Sequence, residues 1–304
     1  MNKYIVCTSI NKPTEAILAY DSMPDWKLVV VGDKKTPKNY KLKNGIYISP
    51  EDQMDISSEL SELIGWNCIQ RRNFGLLYAF NLGADIVCTV DDDNIPLSNW
   101  GNNLLINNEV NVKEFQISHE AFDPIGATSY KQIWHRGFPL ELISKRDYTD
   151  HRYINVVPDI QADFWNGDPD IDALCRLEHG PSCQFSDTEF PFTSNKISPF
   201  NSQNTILSRK IAYDYFLYPH IGRMDDIWAA FYVISKGYRV VYNKATVFQQ
   251  RNEHNLIEDM KKEYLGYENN LALVKSLYKN PESIISFLPK KSISAWNLYR
   301  NLLK

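Results

Sequence analysis

The sequence predicts an α/β protein: a mixed, mostly parallel sheet flanked by helices, with a helical extension at the C-terminus. Three observations carry this expectation. The runs YIVCTS (Tyr4–Ser9), KLVVV (Lys27–Val31) and DIVCTV (Asp85–Val90) are apolar on both faces, as strands covered by helices on each side must be. One of them follows a segment of helical spacing and ends abruptly in acids, a helix-to-strand unit with polar groups at the strand's carboxyl end. Near the end of the chain, Asn255 to Tyr278 repeats apolar residues at helical spacing.

The elements follow in order. Between the first two strands, Pro13 to Tyr20 reads as a short helix. Residues 34–65 are polar and broken by Pro37, Gly45 and Pro50, so loops are expected there, with a short strand at Ile46–Ile48. A helix is expected over Asn67–Leu82, where Ile69, Leu76, Leu77 and Phe80 share a face and Gly83 supplies the stop. The strand Asp85–Val90 then runs into Asp91-Asp92-Asp93-Asn94. Residues 98–200 show poor hydrophobic spacing and read as irregular. Asn204–Ser208 reads as a strand, Ile227–Ser235 as a helix and Arg239–Tyr242 as a strand, with Val247–Gln249 strand-like. In the last long helix, Leu256, Met260, Tyr264, Tyr267, Leu271, Val274 and Tyr278 form the expected packing stripe, and Pro281 ends it.

The 304 residues suffice for one large domain with an extension. A hydrophobic share of 43% argues against disorder. A net charge of −4 gives no polyanion-binding face and excludes nucleic acid as an expected partner. The 18 Tyr and 7 Trp suit a site that stacks ring-shaped ligands, although most of them serve a core equally well. Five cysteines without CxxC spacing give neither a disulfide framework nor a zinc site. The N-terminal MNKYIVCTSINK is too short and polar for a signal peptide, and no apolar run reaches bilayer length. The expected location is therefore cytoplasmic, with membrane contact limited to the periphery of the inner face. Phe287–Lys304, carrying Lys290, Lys291, Trp296, Tyr299 and Arg300, is the segment that would make it, or else a terminal helix packed on the domain.

The strongest chemical signal is VDDDN at 90–94. Adjacent carboxylates repel unless a cation sits among them. Hard oxygen ligands favour Mn²⁺ or Mg²⁺, which keep positions open for substrate phosphates. Asp91 and Asp93 are the expected metal ligands, with His254 as a further candidate. Upstream, Arg71, Arg72 and Asn73 are candidates for binding phosphates together with Asp91 and Asp92, and Gly75 for admitting a ligand or a neighbouring backbone. In GRMDDIW, Asp225 or Asp226 at a helix start suits a general base, with Asp168 of WNGDPDID as a reserve. Trp228, Trp165, Asn201, Gln203 and Asn204 are candidates for reading sugar rings and hydroxyls. Simple turn or core roles would account for the same residues.

Taken together and in order, RRNFGLLYAFNLGADIVCTVDDDN, WNGDPDIDALCRL, PFNSQNT and GRMDDIW resemble the STELLO-type glycosyltransferases, over about residues 65 to 250. The triplet and DDIW are also similar to those of the reversibly glycosylated polypeptides, which are nucleotide-sugar mutases. The resemblance implies a GT-A fold and a nucleotide-sugar site at Asp91–Asp93. It implies a GT-A domain over residues 1–252, with a nucleotide-sugar half at about 1–100 and an acceptor half at about 101–252, and a helical extension over 253–304. The expected function is metal-dependent transfer of a sugar from a nucleoside diphosphate, UDP being the expected nucleotide, to a glycan or lipid-linked acceptor with inversion, as in polysaccharide biosynthesis. The alternatives are a pyranose–furanose mutase and a non-catalytic scaffold of a glycan-assembly complex.

Overall fold

Hydrophobic strand runs near the N-terminus set the frame of the molecule. The computed structural model describes residues 1–250 and 255–304. β1 (Lys3–Thr8), α1 (Glu15–Asp21), β2 (Lys27–Val31), β3 (Ile46–Ile48) and α2 (Pro50–Ile64) come first. α3 (Arg72–Asn81), β4 (Ile86–Asp91), β5 (Asn94–Pro96), β6 (Val110–Phe115), β7 (His151–Val156) and β8 (Ile160–Gly167) follow. The chain continues through α4 (Ala173–His179), β9 (Phe192–Ser194), β10 (Asn204–Ser208), α5 (Asp225–Ser235), β11 (Val240–Gln249), α6 (Leu256–Leu277) and α7 (Lys290–Leu302).

Among the described residues the strands form one mixed sheet in the order β3-β2-β1-β4-β10-β8-β11-β9-β6-β7, with β5 pairing β11. β1, β2, β3 and β4 are parallel, as their two-sided apolar runs require. β10 is antiparallel to both β4 and β8, and β11 is parallel to β8. The carboxyl ends of β1, β4, β8 and β11 therefore emerge at one edge of the sheet, and β10 starts there. The register sets Thr8 beside Asp91 and Val90 beside Asn204. Such an edge is where open α/β sheets take ligands.

α3 packs across β1 and β2, and Gly75 makes the approach close. A Cβ there would sit 2.5 Å from Val6 Cγ1 and 2.8 Å from Val31 Cγ2. Gly75 thus serves helix–strand packing, which corrects the expectation that it admits a ligand.

Several other expectations are corrected. Residues 50–64, read as loop, form α2, because Ser49 and Asp52 close a capping box around Pro50 at the first helical position. The helix expected over 67–82 starts regularly only at Arg72, after a tight 3₁₀ turn at Ile69–Arg71. Residues 98–200 hold four strands and α4; the exposed, polar β7 hides the alternation that marks a strand. α6 has nearly the expected bounds, but its buried face is Glu263, Gly266, Asn270, Leu273, Val274 and Leu277, and Tyr264 is exposed. The stripe is rotated because a carboxylate, a glycine and an amide face inward.

No helix among the described residues is long and apolar enough to cross a membrane. In α7, Trp296 and Tyr299 turn inward onto Tyr218, Tyr232 and Phe216, while Arg300 pairs with Asp214. The aromatic residues that would anchor this helix on a membrane are thus in the core.

Candidate active site

β4 delivers the acidic triplet to the sheet edge, and neighbouring residues sort its three carboxylates. Arg72 is fully buried at the start of α3, and its Nη2 pairs with Asp91 Oδ1 at 2.5 Å. The same guanidinium donates to the carbonyl oxygens of Val90 and Ser202. Arg72 therefore braces the end of β4 and aims Asp91, whose side chain keeps 31% of its surface exposed. Asp92 is committed elsewhere: its Oδ2 accepts from Ser9 Oγ and Asn11 Nδ2. Its carbonyl accepts from the Thr14 hydroxyl, which also caps α1. Asp93 is half-buried and Asn94 fully buried, with the Asn94 amide donating to the Gln203 carbonyl.

Two adjoining clefts flank this edge, and Ile69 lines both. The first, about 300 Å³, lies over the ends of β1 and β2, against Ser9, Asn11, Asp33, Cys68 and Asp92. The second, about 180 Å³, is lined by Asp91, Arg136, Asp170, Gln203, Asp225 and Asp226.

Arg136 organises the second cleft. It donates to both oxygens of Asp170 (2.8 and 3.0 Å), both oxygens of Asp226 (3.0 and 3.2 Å) and the Arg223 carbonyl. All five of its N–H groups are thereby engaged. Asp226 Oδ2 also accepts from the Ser202 backbone and hydroxyl. Asp225 accepts from Gln70 Nε2 at 2.9 Å. Burial, then the adjacent Asp226 carboxylate, push the Asp225 carboxyl up to about 7. Neither acid caps α5. From behind, buried Glu263 of α6 accepts from Arg223 Nε, the Ala173 backbone N–H and the Tyr267 hydroxyl. This closeness of α6 is possible because Gly222 has φ +64° and lies against the Lys262 carbonyl.

Several sequence candidates occupy other places. Arg71 is buried, with its guanidinium turned to Gln53, Ser61 and the Gly65 carbonyl and stacked on Trp66 at 3.8 Å. Burial lowers it to about 10. It braces α2 against the start of α3 and also lines the first cleft. Asn73 spends its amide on both backbone groups of Leu217, and Trp228 is fully buried with its indole N–H on Asn270. Trp165 is packed beside Phe164 and His135. Asn204 is consumed by the Phe164 carbonyl, Thr246 and Trp100. These aromatic and amide groups are core, not sugar platforms. Asn201 supports the cleft through Asp170 rather than facing it, whereas Gln203 lines it and bonds Gln249. Asp168 pairs with Arg176; the acid of its segment that enters the cleft is Asp170. His254 lies outside the described residues. Sequence reasoning missed Arg136, Asp170, Gln70 and Glu263. Only the place of Arg136 in WHRG, between Trp134-His135 and Gly137, hinted at a constrained position.

The donor set at the edge suits a divalent cation of the Mn²⁺ or Mg²⁺ type: hard oxygens, partly exposed, held by an organised second layer. Among the described residues no three His, Cys, Asp or Glu side chains converge as a closed metal cage.

No known protein-family profile matches the chain. It is 25% identical over 224 residues to the probable glycosyltransferases STELLO1 and STELLO2 of Arabidopsis thaliana. This chain is similar to the STELLO proteins. The alignment covers 67% of it and 29% of each STELLO protein, so the chain matches less than a third of those relatives' length. The STELLO resemblance inferred from the ordered motifs is thus supported over most of the chain. Among solved structures, glucosyl-3-phosphoglycerate synthase from Mycobacterium tuberculosis in complex with phosphoglyceric acid aligns with a TM-score of 0.49 and 12% identity, covering 90% of this chain and 80% of that one. A second structure of that enzyme, with Mn²⁺, UDP-glucose and phosphoglyceric acid, aligns with a TM-score of 0.42 and 12% identity, covering 91% and 80%.

Proposed function

We propose that the chain is a GT-A glycosyltransferase that moves a sugar from a nucleoside diphosphate, with UDP as the nucleotide, to a hydroxyl of a glycan or lipid-linked acceptor. The observation that carries this reading is the adjacency of the two clefts, which share Ile69: Asp92 lines the first, and the second holds Asp91, at the end of β4, together with Asp225. The donor occupies the half formed by about residues 1–100 and the acceptor the half at about 101–252, with α6 packed behind the second cleft and α7 against α2. Asp91 and Asp93 would hold Mn²⁺ or Mg²⁺, which when bound neutralises charge on the departing diphosphate. Asp225 takes the proton from the acceptor hydroxyl as that oxygen bonds to the anomeric carbon, while the bond from that carbon to the diphosphate breaks on the opposite face. Inversion follows from this single displacement. Arg136 and Ser202 occupy both oxygens of Asp226 with hydrogen bonds, so the proton acceptor is Asp225.

Calorimetry tests the donor half. UDP should bind wild type more tightly with Mn²⁺ than without, and Asp93→Ala should abolish that gain. Metal-independent affinity in both proteins would remove the triplet from the reaction. Incubating UDP-sugars without acceptor separates transfer from mutase activity, because only a mutase would then convert the ring form.

A further inference from the structure

A third cavity lies away from the acidic triplet, beside β6 and β7. It measures about 390 Å³, within the range of small-ligand sites. Three lysine or arginine side chains reach it, Lys113 from β6, Lys131 from the loop between β6 and β7 and Arg146 at the end of the 3₁₀ turn Leu140–Lys145, and His151 of β7 completes the polar lining. Arg146 is rigidly held by Asp123 and by the carbonyl oxygens of Ile133, Ile143 and Lys131. It therefore shapes the wall, with its charge offset by Asp123. Lys113 and Lys131 have no acidic partner among the described residues. The one acid in the lining, Asp147, gives its carboxylate to the backbone N–H and hydroxyl of Thr149. The apolar wall is Phe115, Ile143 and the ring of Tyr148, which packs edge-on against Phe115.

A site with two uncompensated ammonium groups over an aromatic and aliphatic wall suits a compact anion carried on a ring. We propose that this cavity binds a phosphomonoester of sugar size, its phosphate between Lys113 and Lys131 and its carbon skeleton against Phe115 and Tyr148. Charge-assisted hydrogen bonds from the ammonium groups supply the recognition. The volume admits a hexose phosphate. This site is separate from the proposed donor and acceptor clefts and does not depend on their assignment.

Calorimetry at low ionic strength with glucose 6-phosphate, and with glucose as the uncharged control, tests it. The phosphate ester should bind and glucose should not. A Lys113→Gln/Lys131→Gln double variant should lose about tenfold or more in affinity, with its melting temperature near that of wild type because neither ammonium forms a salt bridge among the described residues and Lys113 lies only at 5.7 Å over the Phe115 ring. Asp91→Asn should retain the binding. Flotation with phosphatidic-acid vesicles asks whether the same group is recognised on a lipid: flotation of wild type but not of the double variant supports the site with a lipid headgroup as its source. Absence of binding to both probes overturns the proposal. So does equal binding by the double variant, or loss of binding in Asp91→Asn, which would place the anion at the triplet.

Discussion

Asp226 gives its oxygens to Arg136 and Ser202, whereas Asp225 receives the Gln70 amide and sits beside a carboxylate that cannot leave. The two residues adjoin in the chain, yet their substitutions should fail differently. Asp225→Asn keeps size and hydrogen bonding but removes the proton acceptor. Turnover should fall by roughly a hundredfold or more while donor affinity holds. Because burial and the Asp226 charge raise the Asp225 carboxyl to about 7, that group takes up a proton as pH falls. The wild-type transfer rate should therefore decline below about pH 7, and the steady-state pH profile checks this. Asp226→Asn breaks a buried ion pair and should cost about 3–5 kcal/mol of stability, read by urea unfolding. If Asp225→Asn transfers at the wild-type rate, the base lies elsewhere.

At the scale of elements, α6 acts on the cleft from behind through Glu263, Arg223 and the Arg223 carbonyl on Arg136. Glu263→Gln can satisfy the Ala173 N–H or Arg223, not both as an anion does. It should destabilise the fold by about 1–3 kcal/mol and lower kcat with donor affinity unchanged. Wild-type values of both stability and kcat would show that α6 does not reach the chemistry. The same helix shows what the sequence concealed. Its period was legible but its inward face was not, since Glu263 and Asn270 are polar and are buried only because Arg223 and Trp228 need partners. α2 was concealed for the opposite reason: Ser49-Pro50-Glu51-Asp52 is a readable helix start, but its polar body looked like loop. The strands β1, β2 and β4 and the DDD edge were legible because a buried parallel strand needs apolar residues on both faces. Arg136 was not, because its position depends on distant groups, Asp170 and Asp226, that no local pattern announces.

For the whole molecule, the sheet runs without interruption from β3 to β7, and α7 closes back onto α2 and onto Tyr218 and Tyr232. Residues before and after position 100 contribute strands to this one sheet, joined where β4 pairs with β10. Calorimetric unfolding should therefore show one transition, with equal calorimetric and van't Hoff enthalpies. Two separated transitions would mean that the halves fold independently. The five-fold engagement of Arg136 carries a historical consequence as well. Losing the arginine alone strands two buried carboxylates, and losing either carboxylate alone leaves buried guanidinium N–H groups without acceptors. Drift at any one of the three positions is penalised until the others follow. In a collection of descendants, Arg136, Asp170 and Asp226 should be inherited or replaced as a set, so that lineages with only one of the three altered are rare.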